Sequence, residues 1–333
     1  TDPIVWSAPV AIPRRAAALW RVMSILDRAP LAELTHKQVR AASNLRKRLV
    51  GLPGAWLVLG RPDRGARAED STARLPDGTV LPLRIYRPRV AGEEPLPVVV
   101  NFHGGGWVSG DPMQSEWWCS SVSAQAGVVV VSVDYRLAPE HPFPTAAEDS
   151  YAATLWVTEH ADELRVDGSR VAVMGDSAGG NLSAVVSLMA RDRGTPQIAL
   201  QVLIYPSVEL IETFPSEDEN EFAPILGKAD LTAFSALYRG ADDGTDPYGS
   251  PLRGKHHDLP PALIQTAEHD PLRDHGTVYA VALRSAGVEV RLTNYVDAVH
   301  GYISLPGVVP AARQALAEAV AALRDALSIA VFP

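Results

Sequence analysis

The chain has 333 residues, of which 47% are hydrophobic and 21% charged. That is enough apolar material for a large core, and it excludes a disordered composition. The formal charge of -9 argues against a nucleic-acid partner, which needs clustered Lys and Arg on a net basic surface. Cys119 is the only cysteine, so an internal disulfide and a zinc site built on several cysteines are excluded, and a reducing cytoplasm is the expected location. The first residues lack a basic segment followed by an apolar run, and no stretch approaches the ~18 apolar residues of a membrane span.

In chain order, residues 1–50 read as a helical cap segment. Leu19, Val22, Met23 and Leu26 fall at helical spacing, and "THKQVRAASNLRKRLV" is a basic amphipathic run. From about residue 67 the period becomes that of strands: "TVLPLRIYRP" alternates, while "LPVVVNF" and "VVVVSVDY" are nearly continuous apolar runs, the mark of strands buried on both faces. Helical stretches are expected near 115–127, 145–162, 177–192, 271–286 and 310–328. Further strands are expected at "RVAVMG", "IALQVLIY", "ALIQTA" and "VEVRLTNY". Alternating strands and helices predict an α/β fold, a mostly parallel sheet covered by helices on both faces. The predicted catalytic domain comprises 51–206 and 246–333. Residues 207–245 interrupt the alternation and are expected to form a second cap segment, in which the acidic run "PSEDENEF" reads as a solvated loop.

Ligands of such sheets sit beyond the carboxyl ends of the strands, which limits the search to strand-to-helix loops. "GDSAGG", residues 175–180, follows the strand "RVAVMG" and opens a helix. This is the context of a nucleophile elbow, in which a serine, here Ser177, sits on a sharp turn between small residues. "HGGGWVSG", residues 103–110, follows another strand. Attack by a serine on an acyl carbon turns the carbonyl oxygen into an anion, and backbone N–H groups fixed where that charge develops stabilise it. The donors expected are those of Gly104, Gly105 and Ala178.

A serine hydroxyl needs a base, and the base needs an acid to orient it. In this arrangement acid and histidine follow the serine in that order. His300, in the loop "VDAVHGY" after the last strand, is the expected base. The acid lies in "ALIQTAEHDPLRDHG". Asp270 is favoured because it leaves the strand and precedes Pro271, Glu268 is its main competitor and Asp297 a more distant one. Asp274 reads as a helix-start charge or an ion pair. Trp107, Phe214 and Phe222 could line an acyl pocket or simply belong to core and cover.

With these residues in place, the sequence resembles the hormone-sensitive-lipase-like family of α/β-hydrolases, the bacterial family IV carboxylesterases. "HGGGWVSG", "DYRLAPEHPFP", "GDSAGG", "DPLRD" and "HGY" occur in that family's order and spacing. The resemblance runs from about residue 75 to near the end, and the "GDSAG" form of the elbow resembles one branch of the family. It implies an α/β-hydrolase fold, Ser177, Asp270 and His300 as catalytic triad, Gly104, Gly105 and Ala178 as oxyanion hole, and a site beneath a cap. It further implies a small ester as substrate, hydrolysed through an acyl-enzyme, with no metal or organic cofactor, and a homodimer. Buried Asp134 and Arg136 of "DYRLAPEHPFP", beside two prolines, are expected to fix the loop that supports the oxyanion glycines. The competing functions are an amidase or deacetylase with the same triad, or a small-ligand receptor on this scaffold. Receptors of that kind lose the base, whereas a histidine stands here at 300.

Overall fold

The computed structural model describes residues 54–329 apart from 91 and 93, together with helical positions Gln38 and Ala41. The expected N-terminal cap segment therefore lies almost wholly outside the described residues.

Eight strands form one sheet in the order β1-β2-β4-β3-β5-β6-β7-β8. They are β1 (Ala66–Arg74), β2 (Val80–Pro88), β3 (Leu96–Phe102), β4 (Val129–Val133), β5 (Val166–Asp176), β6 (Leu200–Ile204), β7 (Ala262–His269) and β8 (Val290–Val299). The first two strands join antiparallel, β2 against β4, and every pair from β4 to β8 is parallel. The expected α/β-hydrolase architecture holds. β1, "ARAEDSTAR", is mostly exposed and polar, which is the character of an edge strand and the reason its period-2 signal is weak.

The α-helices of five residues or more among the described residues are α1 (Glu116–Val122), α2 (Thr145–Glu159), α3 (Ala178–Arg193), α4 (Pro215–Glu219), α5 (Lys228–Arg239), α6 (Arg273–Ser285) and α7 (Ala311–Ala326). Side chains alternate across a strand, and β3 shows what that does here. Val98, Val100 and Phe102 pack with α2 and α3 on one face, and Val99 packs with α1 and α7 on the other. Both faces being covered explains why β3 and β4 read as nearly continuous apolar runs. A third cluster joins Leu188 of α3 to Ile264 of β7 and to Tyr279 and Leu283 of α6.

The stretch between β6 and β7 leaves the sheet, as the broken alternation implied, but it is not merely loop. The acidic run contains α4, where Glu217 is buried and accepts the Phe214 N–H at 3.0 Å through Oε1, while Asp218 and Glu219 are exposed. The expectation of a solvated loop is corrected at Glu217, which closes the first turn of the helix. α5 was not visible in the acid-dominated reading. Its Leu231, Phe234 and Tyr238 recur at i, i+3 and i+7 and turn toward the core.

Candidate active site

The apolar run of β5 is buried and delivers the chain to Ser177 at its carboxyl end. Ser177 adopts φ 56 and ψ -118 and is followed at once by α3. This is a strained position for a residue with a Cβ, and such strain persists only where the surroundings enforce it. Here the Ser177 N–H donates to Ile204 O of β6 at 2.8 Å, and its carbonyl accepts the Asn181 N–H at 3.0 Å. The turn is thereby pinned to both the neighbouring strand and the following helix.

Three loops meet at the hydroxyl. His300 follows β8 and places Nε2 3.0 Å from Ser177 Oγ, while its Nδ1 lies 2.7 Å from Asp270 Oδ2 at the end of β7. A carboxylate only accepts, so the proton of the neutral ring sits on Nδ1 and leaves Nε2 free to accept from the serine. Asp270 is 0% exposed, and its other oxygen takes the Leu272 N–H at 2.8 Å. Ser177 at 9% and His300 at 7% keep a narrow opening. Tyr205 lies against the imidazole, with ring centroids 4.7 Å apart.

Glu268 and Asp274 are occupied elsewhere. Glu268 is paired with Arg273 at 3.0 Å and accepts from Asn294 Nδ2 at 2.6 Å. Asp274 stands in the first turn of α6, paired with Arg273 at 3.0 Å, as expected of a helix-start charge.

The assignment of Gly104 as an oxyanion donor requires correction. Its N–H already donates to Asp176 Oδ1 at 2.9 Å. No acceptor among the described residues takes the N–H of Gly105, Gly106 or Ala178. The donors open to a ligand are therefore one residue further along the glycine run. Gly105 (φ +119) and Gly106 (φ +62) hold conformations that L side chains rarely adopt. A Cβ on Gly106 would lie 2.3 Å from the ring of Phe234, which packs directly on this loop.

The neighbouring loop that supports the glycines is held at the two expected residues and at a third between them. Asp134 and Arg136 are half-buried rather than buried; Arg136 is held by Asp149 through N–H donors at 2.9 and 2.6 Å, and Asp134 Oδ1 lies 3.9 Å from His103 Nε2. Between them, Tyr135 stacks on the His103 ring at 4.3 Å and donates its hydroxyl to His103 O at 2.7 Å. Tyr135 thus touches the glycine loop directly, a role that a charge-centred reading of the motif missed. Of the aromatic residues considered for a pocket, Trp107 is buried against Tyr238, Phe214 packs on His275, and Phe222 is exposed.

Asp176 was also missed, although it stands inside the elbow motif. Burial pushes its carboxyl up to about 6, against the opposing influence of His300 and of the Gly104 N–H. In the unfolded chain the group ionises near 3.8. Below that pH it is neutral in both states; as the pH rises toward 6 the unfolded chain releases the proton first, and native stability falls. Above 6 the full penalty, on the order of 3 kcal/mol for two units of pH, is in force. Asp176→Asn, which keeps an acceptor for Gly104, is expected to raise Tm clearly at pH 8 and little at pH 4. A melting series showing equal shifts at both pH values would contradict this.

Fold and site together define an α/β-hydrolase with a serine, a histidine and a carboxylate aligned at the carboxyl edge of its sheet. A family model described as alpha/beta hydrolase fold matches residues 99–304. Carboxylesterase NlhH of Mycobacterium tuberculosis is 47% identical over 275 residues, covering 78% of this chain and 83% of its own. Ethyl acetate hydrolase of Pseudomonas putida is 35% identical, with 81% of this chain and 86% of its own covered. The crystal structure of a thermostable esterase from Pseudomonas putida superposes with a TM-score of 0.86 at 34% identity, over 97% of this chain and all of that one. The chain belongs to the hormone-sensitive-lipase-like carboxylesterases of the alpha/beta hydrolase fold, and it is a carboxylic ester hydrolase.

Proposed function

We propose that Ser177, His300 and Asp270 are the catalytic triad and that the enzyme hydrolyses esters of short to medium acyl chains. The observation that carries this reading is the single imidazole bridging Ser177 Oγ at 3.0 Å and Asp270 Oδ2 at 2.7 Å. Ser177 attacks the acyl carbon while His300 Nε2 takes its proton. The carbonyl oxygen becomes an oxyanion facing the N–H groups of Gly105, Gly106 and Ala178 at the start of α3. Such prepositioned donors contribute about 3 to 4 kcal/mol each to the transition state. His300 then returns the proton to the leaving alcohol, and water attacks the acyl-enzyme by the same route. An amidase or deacetylase would use the same groups; the ethyl acetate hydrolase among the relatives favours a small ester.

The N-terminal cap segment expected at 1–50 lies almost wholly outside the described residues, and the segment 207–245 acts in this reading as a cap over the site. Phe234 on Gly106 and Ile225 beside Gly301 belong to it and border the oxyanion loop and the His300 loop. A pocket closed by such side chains discriminates by depth, and one methylene too many costs about 1 to 3 kcal/mol. Initial rates on p-nitrophenyl acetate, butyrate, hexanoate, octanoate and palmitate are expected to give the highest kcat/KM between acetate and octanoate. On palmitate the value should be roughly tenfold lower or less; a maximum at palmitate would overturn the chain-length assignment.

The reading extends to a cytoplasmic homodimer with no nucleic-acid partner. Its supports are the family resemblance, the acidic charge and the position of β8 at the end of the sheet, and light scattering on the purified chain tests the dimer. No helix among the described residues is long and apolar enough to cross a membrane.

A further inference from the structure

The turn that carries Asp270 is gripped along its whole length by the segment between β6 and β7. Asp270 O accepts from Asn220 Nδ2 at 3.4 Å. Pro271 O accepts the Ser216 hydroxyl at 2.7 Å. Leu272, whose N–H holds the second Asp270 oxygen, is packed among Leu226, Leu231 and Phe234. Arg273 reaches Glu219 at 2.7 Å. Asp274 accepts the Ser216 N–H at 2.8 Å through Oδ2 and donates its own N–H to Ser216 Oγ at 3.2 Å. His275 accepts the Val208 N–H at 3.3 Å through Nδ1, so its other nitrogen carries the proton that it directs at Glu217 Oε1, 3.4 Å away. Six consecutive residues thus each meet the excursion, and Ser216, 0% exposed, stands at the centre with three hydrogen bonds to two of them.

From this continuous contact we infer that Ser216 is a positioning residue for the catalytic acid, and that α4 is a fixed splint on the acid turn. The inference rests on the triad reading above. Ser216 touches neither the triad nor any reacting atom. It holds the backbone at Pro271 and Asp274, on either side of the Leu272 amide that orients Asp270. Without its hydroxyl Pro271 O loses its donor, and Asp270 Oδ2 drifts from His300 Nδ1. Misplacement of a catalytic group by about 1 Å costs up to about a hundredfold in rate.

A double-mutant cycle on the full chain distinguishes positioning from general destabilisation. Wild type, Ser216→Ala, Asp270→Ala and the double variant are compared on p-nitrophenyl acetate, at a temperature where circular dichroism shows each one folded. Loss of the acid alone leaves measurable turnover, since that change costs about 10⁴ in kcat. Ser216→Ala is expected to lower kcat by about tenfold with KM within about twofold. In the Asp270→Ala background the same change should alter kcat by less than about twofold. Equal factors in both backgrounds, or an undiminished kcat in Ser216→Ala, would overturn the positioning role. Wild-type activity in Asp270→Ala would instead remove the triad reading itself. If Ser216→Ala does not fold, Asn220→Ala passes through the same cycle. It is half-buried and bonds Asp270 O directly, so a smaller loss of about threefold is expected, again vanishing without Asp270; a loss that persists there rejects the splint.

Discussion

Ser177→Ala is expected to lower kcat toward p-nitrophenyl butyrate by roughly 10⁵ to 10⁶, with KM and melting temperature close to wild type. The size follows from the geometry. The imidazole that would take the proton is 3.0 Å from the hydroxyl and is aligned by a carboxylate at 2.7 Å. Removing the nucleophile therefore leaves base and acid with nothing to activate, and only the oxyanion donors and substrate binding continue to act. Stability should be little affected, because Ser177 already sits at φ 56 and alanine has no greater difficulty there. A loss of less than about tenfold in rate would mean that another group attacks the ester.

Gly179→Ala is expected to be the most damaging single change to the fold around the site. A Cβ at this position would stand 1.9 Å from Phe102 O and 2.5 Å from Phe102 C. Both are backbone atoms at the end of β3, just before the oxyanion glycines, so no flexible side chain can move aside. α3 would have to lift away from β3, separating the elbow from the loop that faces it. Overpacking of a tight core costs about 1 to 3 kcal/mol or more, and a backbone collision belongs at the upper end. A fall in Tm of about 4 to 5 °C or loss of soluble protein is expected. Gly92→Ala, where an added Cβ meets nothing within 4 Å, should melt within about 2 °C of wild type. Thermal scans of the two variants side by side check the argument, and a wild-type melt for Gly179→Ala would refute it.

Much of this architecture was legible because burial on both faces writes itself into sequence. β3 occupies residues 96–102 as the apolar run "LPVVVNF" implies, and the elbow falls where strand period gives way to helix. The three residues that meet at the site were legible for a related reason, since each follows a strand whose end the pattern locates. What the sequence withheld depends on contacts between distant segments. Gly104 and Gly106 are equivalent in sequence, and the difference arises because Asp176, 72 residues away, consumes the first amide. Tyr135 reads as one more apolar residue of its motif until it is seen to stack on His103 and bond the His103 carbonyl. Glu268 competes with Asp270 on spacing alone and is eliminated by Arg273 and Asn294. α5 was obscured by the acidic run before it, although its i, i+3, i+7 apolar positions carried the signal.

The central claim is that Ser177 carries the acyl group. The most direct test is to inactivate the enzyme with diethyl p-nitrophenyl phosphate, which phosphorylates an activated serine, and to locate the label by peptide mass spectrometry as activity falls. One phosphoryl group per chain, on the peptide containing Ser177 and rising in step with the lost activity, is the predicted result. Full inactivation with the label on another residue, or a labelled Ser177 in a fully active enzyme, would contradict the account.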